Sequence, residues 1–168
     1  TTWVARVVGT MAQLNPRGPA NGTVREYTEQ HYLPAATSYQ RRAADNGAGG
    51  RQVINWEQML TQHWPTLRFG DVKIETRGEQ RVFEVQVSRN GLDSKAVGVE
   101  VEADGANGSG PTREEMTCGR PLAGASGGDV FTATVSATRP AMDYTVRVIP
   151  HREGVAVPLE AAHILWQR

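Results

Sequence analysis

A chain of 168 residues, 39% of them hydrophobic and 21% charged, has the length and composition of one ordinary soluble domain, or of a small domain with a helical appendage. Eighteen basic residues balance eighteen acidic ones, so no long-range field gathers nucleic acid or an anionic membrane. No apolar run approaches the roughly 18 residues of a spanning helix, and neither nucleic acid nor a membrane is expected as a partner.

The chain opens Thr1-Thr2-Trp3 without an apolar leader, and its single cysteine, Cys118, allows no internal disulfide. Both point to a cytoplasmic setting, with Cys118 expected as a small, partly buried apolar side chain. Sixteen of the eighteen basic residues are arginine, leaving Lys73 and Lys95 as the only lysines.

In chain order, Val4, Val7, Val8, Met11 and Leu14 recur at helical spacing until Asn15-Pro16 and Gly18-Pro19 stop the run. Thr23-Val24-Arg25-Glu26 has the form of a capping box and predicts a second helix beginning there. Pro34 kinks that helix or separates it from a third segment around Ala35 to Ala44. Asn46-Gly47-Ala48-Gly49-Gly50 is a break. Val53, Trp56, Met59, Leu60 and His63 then mark one face of a last helix, ended by Trp64-Pro65.

Beyond Pro65 the period changes to two. Leu67 and Phe69, Val72 and Ile74, Phe83 to Val87, Val97 to Val101, Phe131 to Val135 and Tyr144 to Val148 each line one face of a short strand. Turn dipeptides separate them at Arg77-Gly78, Asn90-Gly91, Asp104-Gly105 and Asn107-Gly108. Gly105 to Gly110 and Gly119 to Gly128 read as long surface loops, and Ile164-Leu165-Trp166 as a terminal strand. The expected fold is α+β: a helical segment of three to four helices over residues 1–65, then an antiparallel immunoglobulin-like β-sandwich of six to eight strands over 66–168.

Few residues suggest chemistry. His31, His63, His151 and His163 are too widely spaced for a local metal motif. Glu114-Glu115 and the pair Glu100 and Glu102 read as solvated faces. Gly124-Ala125-Ser126-Gly127-Gly128 resembles a phosphate cradle only superficially, because a strand follows it where a helix N-terminus is needed. Trp56 and Trp166 are expected in the core, and Trp3 and Trp64 at segment edges, as contact surfaces or against other parts of a longer protein.

The closing run Arg139-Pro140-Ala141-Met142-Asp143-Tyr144-Thr145-Val146-Arg147-Val148-Ile149-Pro150-His151, with Pro158-Leu159-Glu160-Ala161 and Ile164 to Arg168, resembles the C-terminus of bacterial short-type α-glucan (glycogen/starch) phosphorylases. Met11-Ala12-Gln13-Leu14, Val24-Arg25-Glu26-Tyr27-Thr28-Glu29 and Tyr32-Leu33-Pro34-Ala35 extend the resemblance to the other end, and Leu92-Asp93 to Gly105 fits it more loosely. Where such phosphorylases read Pro-Arg-Phe-Ser-Ala-Asn-Arg, this chain has Pro16-Arg17-Gly18-Pro19-Ala20-Asn21-Gly22.

The resemblance implies a parent enzyme several times longer that phosphorolyses α-1,4-glucan to glucose 1-phosphate with pyridoxal phosphate. The lysine that holds that cofactor sits in a motif of Glu-Ala-Ser-Gly-Thr-Ser-Gly-Met-Lys type, which no stretch here matches. Lys73 and Lys95 are expected to be solvated. No catalytic, cofactor-binding or metal-binding residue is therefore assigned within the chain. Its expected partner is the remainder of such a parent, with α-glucan and a second copy as alternatives.

Overall fold

The computed structural model describes residues 3–8, 20–105, 110–122 and 127–167. The chain divides into two compact units, residues 1–52 and 53–168, each with its own character.

In the first unit, residues 3–8 are helical with Val4 and Val8 exposed; Met11, Leu14 and Gly18-Pro19 lie outside the described residues. From Ala20 to His63 the chain forms α1 (Ala20–Tyr27), a π-helical turn (Thr28–Tyr32) and α2 (Leu33–His63), which is bent at residues 44–47 and carries on into the second unit, fewer separate helices than the three or four expected. The helix thus begins before Thr23, which is interior to α1 and not its cap, and Gly22 also lies within α1. Pro34 explains the wide turn. Having no N–H, it cannot serve the carbonyl four residues back, and its ring crowds that carbonyl. The π turn relieves the conflict, with the Leu33 N–H donating to the Thr28 carbonyl instead.

The glycine-rich break is real but displaced. Backbone angles leave helical values at Ala44, Asp45, Asn46 and Gly47, the last three with positive φ, after which Gly49 and Gly50 resume the helix. A Cβ on Gly49 would stand 3.0 Å from the Arg41 carbonyl oxygen, so the close approach across the bend needs glycine there.

The second unit is built on eight strands among the described residues: β1 (Arg68–Arg77), β2 (Gln80–Ser88), β3 (Val97–Ala103), β4 (Thr112–Glu115), β5 (Thr117–Pro121), β6 (Gly128–Ser136), β7 (Tyr144–Pro150) and β8 (Leu165–Trp166). They form two four-stranded antiparallel sheets, ordered β1-β2-β6-β5 and β4-β3-β7-β8. Alternation sets the inward faces, as the period-two pattern predicts. Phe83, Val85 and Val87 of β2, Val99 and Val101 of β3, Phe131 and Ala133 of β6, and Val146 and Val148 of β7 join one buried cluster shared by both sheets. Trp56 and Leu60, from the last turns of α2, belong to the same cluster. Ile74 does not: β1 is an edge strand, and this side chain is exposed.

Asn90 and Gly91 both adopt positive φ, and the Leu92 N–H donates to the Arg89 carbonyl across them at 3.1 Å. That is the tight turn an Asn-Gly pair favours, here carrying the chain from one sheet toward the other. An ion pair fixes its base: Arg89 Nε donates to Asp129 Oδ2 at 2.8 Å, with both side chains largely buried, and a second guanidinium nitrogen reaches the Leu92 carbonyl. Residues 119–121 belong to β5 and residue 128 opens β6, against the expectation of a loop over all of Gly119 to Gly128. Asn107-Gly108 and Gly124 to Ser126 lie outside the described residues.

Candidate functional site

Two features of the second unit merit consideration as sites. The first is a cleft of about 720 Å³ whose floor is apolar, formed by Trp56 and Met59 of α2, Val97 and Val99 of β3, Met116, and Phe131 of β6. Polar and charged side chains complete the lining, among them Lys95, His151 and Arg152 together with Asp93, Glu115 and Glu153. His151 Nδ1 lies 3.3 Å from the Lys95 carbonyl oxygen, and the Arg152 guanidinium stands 6.0 Å from the Trp56 ring centroid. The indole N–H of Trp56 is buried without a hydrogen-bond partner.

Cys118 carries the softest nucleophile on a lining that also holds Ser94, Lys95, Thr117 and His151. It is exposed on β5, against the expectation of partial burial, because its strand is the edge of its sheet. Desolvation, reinforced by the Asp129 carboxylate, pushes the thiol above its ordinary range and outweighs the lowering influence of Arg89. A reactive cysteine needs the opposite shift, so the cleft holds no prepared thiolate.

The second feature is the outward face of the β4-β3-β7-β8 sheet. Arg147 of β7 donates from Nε and Nη2 to Glu100 Oε2 at 2.9 and 2.7 Å and pairs with Glu102 as well. Arg113 of β4 reaches Glu102 from the other side at 3.4 Å. Glu100 and Glu102 are therefore not simple solvated faces: antiparallel register sets Glu100 opposite Arg147 and Glu102 opposite Arg113. Trp166 sits opposite Arg147 on β8, with the guanidinium 5.3 Å from its ring centroid. Trp166 is 41% exposed, contrary to the expected core position. The reason is register: Leu165 pairs with inward-facing Val148, which turns its neighbour outward.

The other residues singled out in the sequence do not converge. His31 packs on Tyr27 in the first unit, and His163 stacks on half-buried Trp64 at 5.3 Å in the second. His63 ends α2 next to Gly91. Glu114 and Glu115 are exposed on β4, and Trp3 is exposed on the first helical stretch. Among the described residues, no three His, Cys, Asp or Glu side chains gather as metal ligands.

Neither lysine suits an aldehyde cofactor. Lys73 is exposed on edge strand β1 among Glu75, Arg77, Glu84 and Arg120, and Lys95 is exposed on a single turn capped by the Asp93 carboxylate. Such a cofactor requires a desolvated amine and convergent donors for its phosphate, and these surroundings provide neither. No helix among the described residues is long and apolar enough to cross a membrane.

The class of protein these features define is an α+β region with a two-sheet domain and no assembled catalytic group among its described residues. The profile of the glycogen phosphorylase C-terminal domain matches residues 64–168, and the chain belongs to that family. Over 167 residues it is 26% identical to the glycogen phosphorylases of two Mycobacterium tuberculosis strains (CDC 1551 / Oshkosh and ATCC 25618 / H37Rv) and of Mycobacterium bovis (strain ATCC BAA-935 / AF2122/97). The match takes in 94% of this chain but only 19% of each relative.

Proposed function

We propose that this chain is the non-catalytic C-terminal region of a glucan phosphorylase-like glycosyltransferase and that it braces the catalytic lobes or a subunit interface. In this reading residues 1–65 close the catalytic lobe of the parent, and 66–168 form a terminal immunoglobulin-like β-sandwich. The observation that carries it is family membership over 64–168 within relatives about five times as long, in a chain whose sequence has no cofactor-lysine motif.

Two details support the immunoglobulin-like assignment. The strand orders correspond to an A-B-E-D sheet facing a C′-C-F-G sheet. Tyr144 opens β7, the F-strand equivalent, and donates its hydroxyl to the Ser136 carbonyl at 3.1 Å, which is the geometry of a tyrosine corner.

The parent reaction is phosphorolysis of α-1,4-glucan to glucose 1-phosphate with pyridoxal phosphate, in the cytoplasm. The principal partner of this chain is the remainder of that polypeptide. The test is direct: the purified 168-residue chain, incubated with pyridoxal phosphate, maltodextrin and phosphate, releases no glucose 1-phosphate and forms no internal aldimine. A stoichiometric aldimine on Lys73 or Lys95 overturns the reading.

Trp166 favours a second reading, a glucan-binding module. Its half-exposed indole is held over Arg147, which two carboxylates fix in place, and a rigid flat ring can cover a sugar face. One such ring gives weak affinity, since sugar hydroxyls exchange hydrogen bonds with water for little net gain. Titration with maltoheptaose followed by NMR decides: saturable shifts centred on Trp166 favour the module, and silence at millimolar sugar favours bracing.

A further inference from the structure

The π turn at Thr28–Tyr32 rephases the helix that contains it. An α-helix advances about 100° per residue and a π-helix about 82°, so five π residues turn the chain about 90° less than five α residues. Without that lag Val24, Tyr27, Tyr32, Ala35 and Tyr39 would spread over about 140° of arc, with Tyr32 about 140° and Tyr39 about 120° from Tyr27. With it, the same residues fall within roughly 70° of arc along about four turns. Arg25, Glu26, Glu29, Gln30 and Thr37 take the opposite side. There Arg25 Nε donates to Glu29 Oε1 at 2.9 Å and Gln30 Nε2 to Glu26 Oε1 at 3.5 Å, while the Thr37 hydroxyl turns back to the Leu33 backbone carbonyl at 2.9 Å.

The apolar stripe is left largely exposed, with His31 against the Tyr27 ring. Val24 is 62% exposed, Tyr27 53%, Tyr32 67% and Tyr39 73%. Single exposed apolar side chains are ordinary, but a contiguous aromatic row on one helix face is an interaction surface. A helix of this composition also draws little stability from propensity alone and needs that face buried.

We infer that the stripe Val24, Tyr27, Tyr32, Ala35 and Tyr39 is a docking face, and that its occupant is the part of the same longer polypeptide lying outside these 168 residues. This rests on the proposed reading of the chain as a phosphorylase C-terminal region. The relatives match this helix as well as the strands, and four-fifths of their length lies beyond the match, which provides an occupant in the same polypeptide. The π turn is then the device that aligns the two halves of the face.

The test compares tyrosine nitration by tetranitromethane, mapped by mass spectrometry, in the 168-residue chain and in the product of the full reading frame. Tyr27, Tyr32 and Tyr39 should react readily in the chain and about tenfold or more slowly in the longer protein, with Tyr144 equal in both. Equal rates for the three overturn the inference. So does protection in the 168-residue chain that rises with its own concentration, which assigns the face to a second copy. Pro34→Ala should let the segment wind as α-helix with every residue kept, swing Tyr39 out of the face and restore its reactivity in the longer protein, while leaving the urea midpoint of the strand unit unchanged; persistent protection counts against the alignment. A reading frame lacking a phosphorylase-like segment sinks the proposed function itself, whereas a phosphorylase-like protein with reactive tyrosines sinks only the docking face.

Discussion

The two units of this chain treat the same kinds of side chain in opposite ways. In residues 53–168, valine, phenylalanine and leucine at alternating positions meet across two sheets and leave almost no apolar surface on β2, β3 and β7. Among the described residues of 1–52, Val24, Tyr27, Tyr32, Leu33 and Tyr39 stand more than half exposed on their helices. The lesson is that sequence periodicity reports which face is apolar, not whether the chain that carries it also carries the cover.

Hydrogen exchange should give the widest separation. Amides of β2, β3, β6 and β7 should exchange only through global unfolding, with protection of about a thousandfold or more, whereas amides of Ala20–Ala43 should open locally at little cost. Equal protection in both would erase the distinction between the units.

Breaking the buried pair at the base of the Asn90-Gly91 turn comes next. Asp129→Ala leaves Arg89 desolvated and unmatched, and should cost about 3–5 kcal/mol in urea denaturation. The double variant Arg89→Leu/Asp129→Leu should recover much of the loss, because removing both charges removes the penalty. No recovery means that the pair mainly holds the turn.

Two leucines on α2 sharpen the comparison within one element. Leu60 is completely buried in the shared core, and Leu60→Ala should cost about 2–5 kcal/mol. Leu33 is exposed, and Leu33→Ala should fall within about 0.5 kcal/mol of the unsubstituted chain. Similar losses for the two would mean that the N-terminal part of α2 is covered after all.

The strand faces were readable from sequence because each short run of alternating valines permits only one inward set, and Asn90-Gly91 because few pairs accept two consecutive positive φ values. What escaped depended on register or on geometry without a residue signature. Nothing near Trp166 says that it pairs with Arg147, yet that pairing alone turns it outward, and the same blindness made Glu100 and Glu102 look solvated. Thr23 to Glu26 has the letters of a capping box but sits inside a helix that starts earlier. The π turn has no letters at all beyond Pro34 downstream, so the aromatic stripe could not be assembled from an α-helical period. As for sites, the sequence assigned none, and the cleft beneath Trp56 joins residues from five separate segments that no local motif connects.

The smallest expected effect concerns Cys118, in the unit whose surfaces are otherwise settled. Its thiol lies above the ordinary range in the folded chain, chiefly through desolvation and then through Asp129. The folded state therefore holds this proton more tightly than the unfolded state does. As pH rises through the thiol's unfolded range, the unfolded chain loses its proton first, so stability falls slightly with pH there and is unaffected by this group below it. Reactivity should follow the same sign: a disulfide reagent should modify Cys118 more slowly than a free thiol at the same mildly alkaline pH, despite the residue's place on an edge strand, and the gap should close as pH climbs. Asp129→Asn removes the carboxylate but keeps the shape, and should speed the reaction. A rate in the unsubstituted chain that already equals that of a free thiol would mean that neither desolvation nor Asp129 reaches the sulfur.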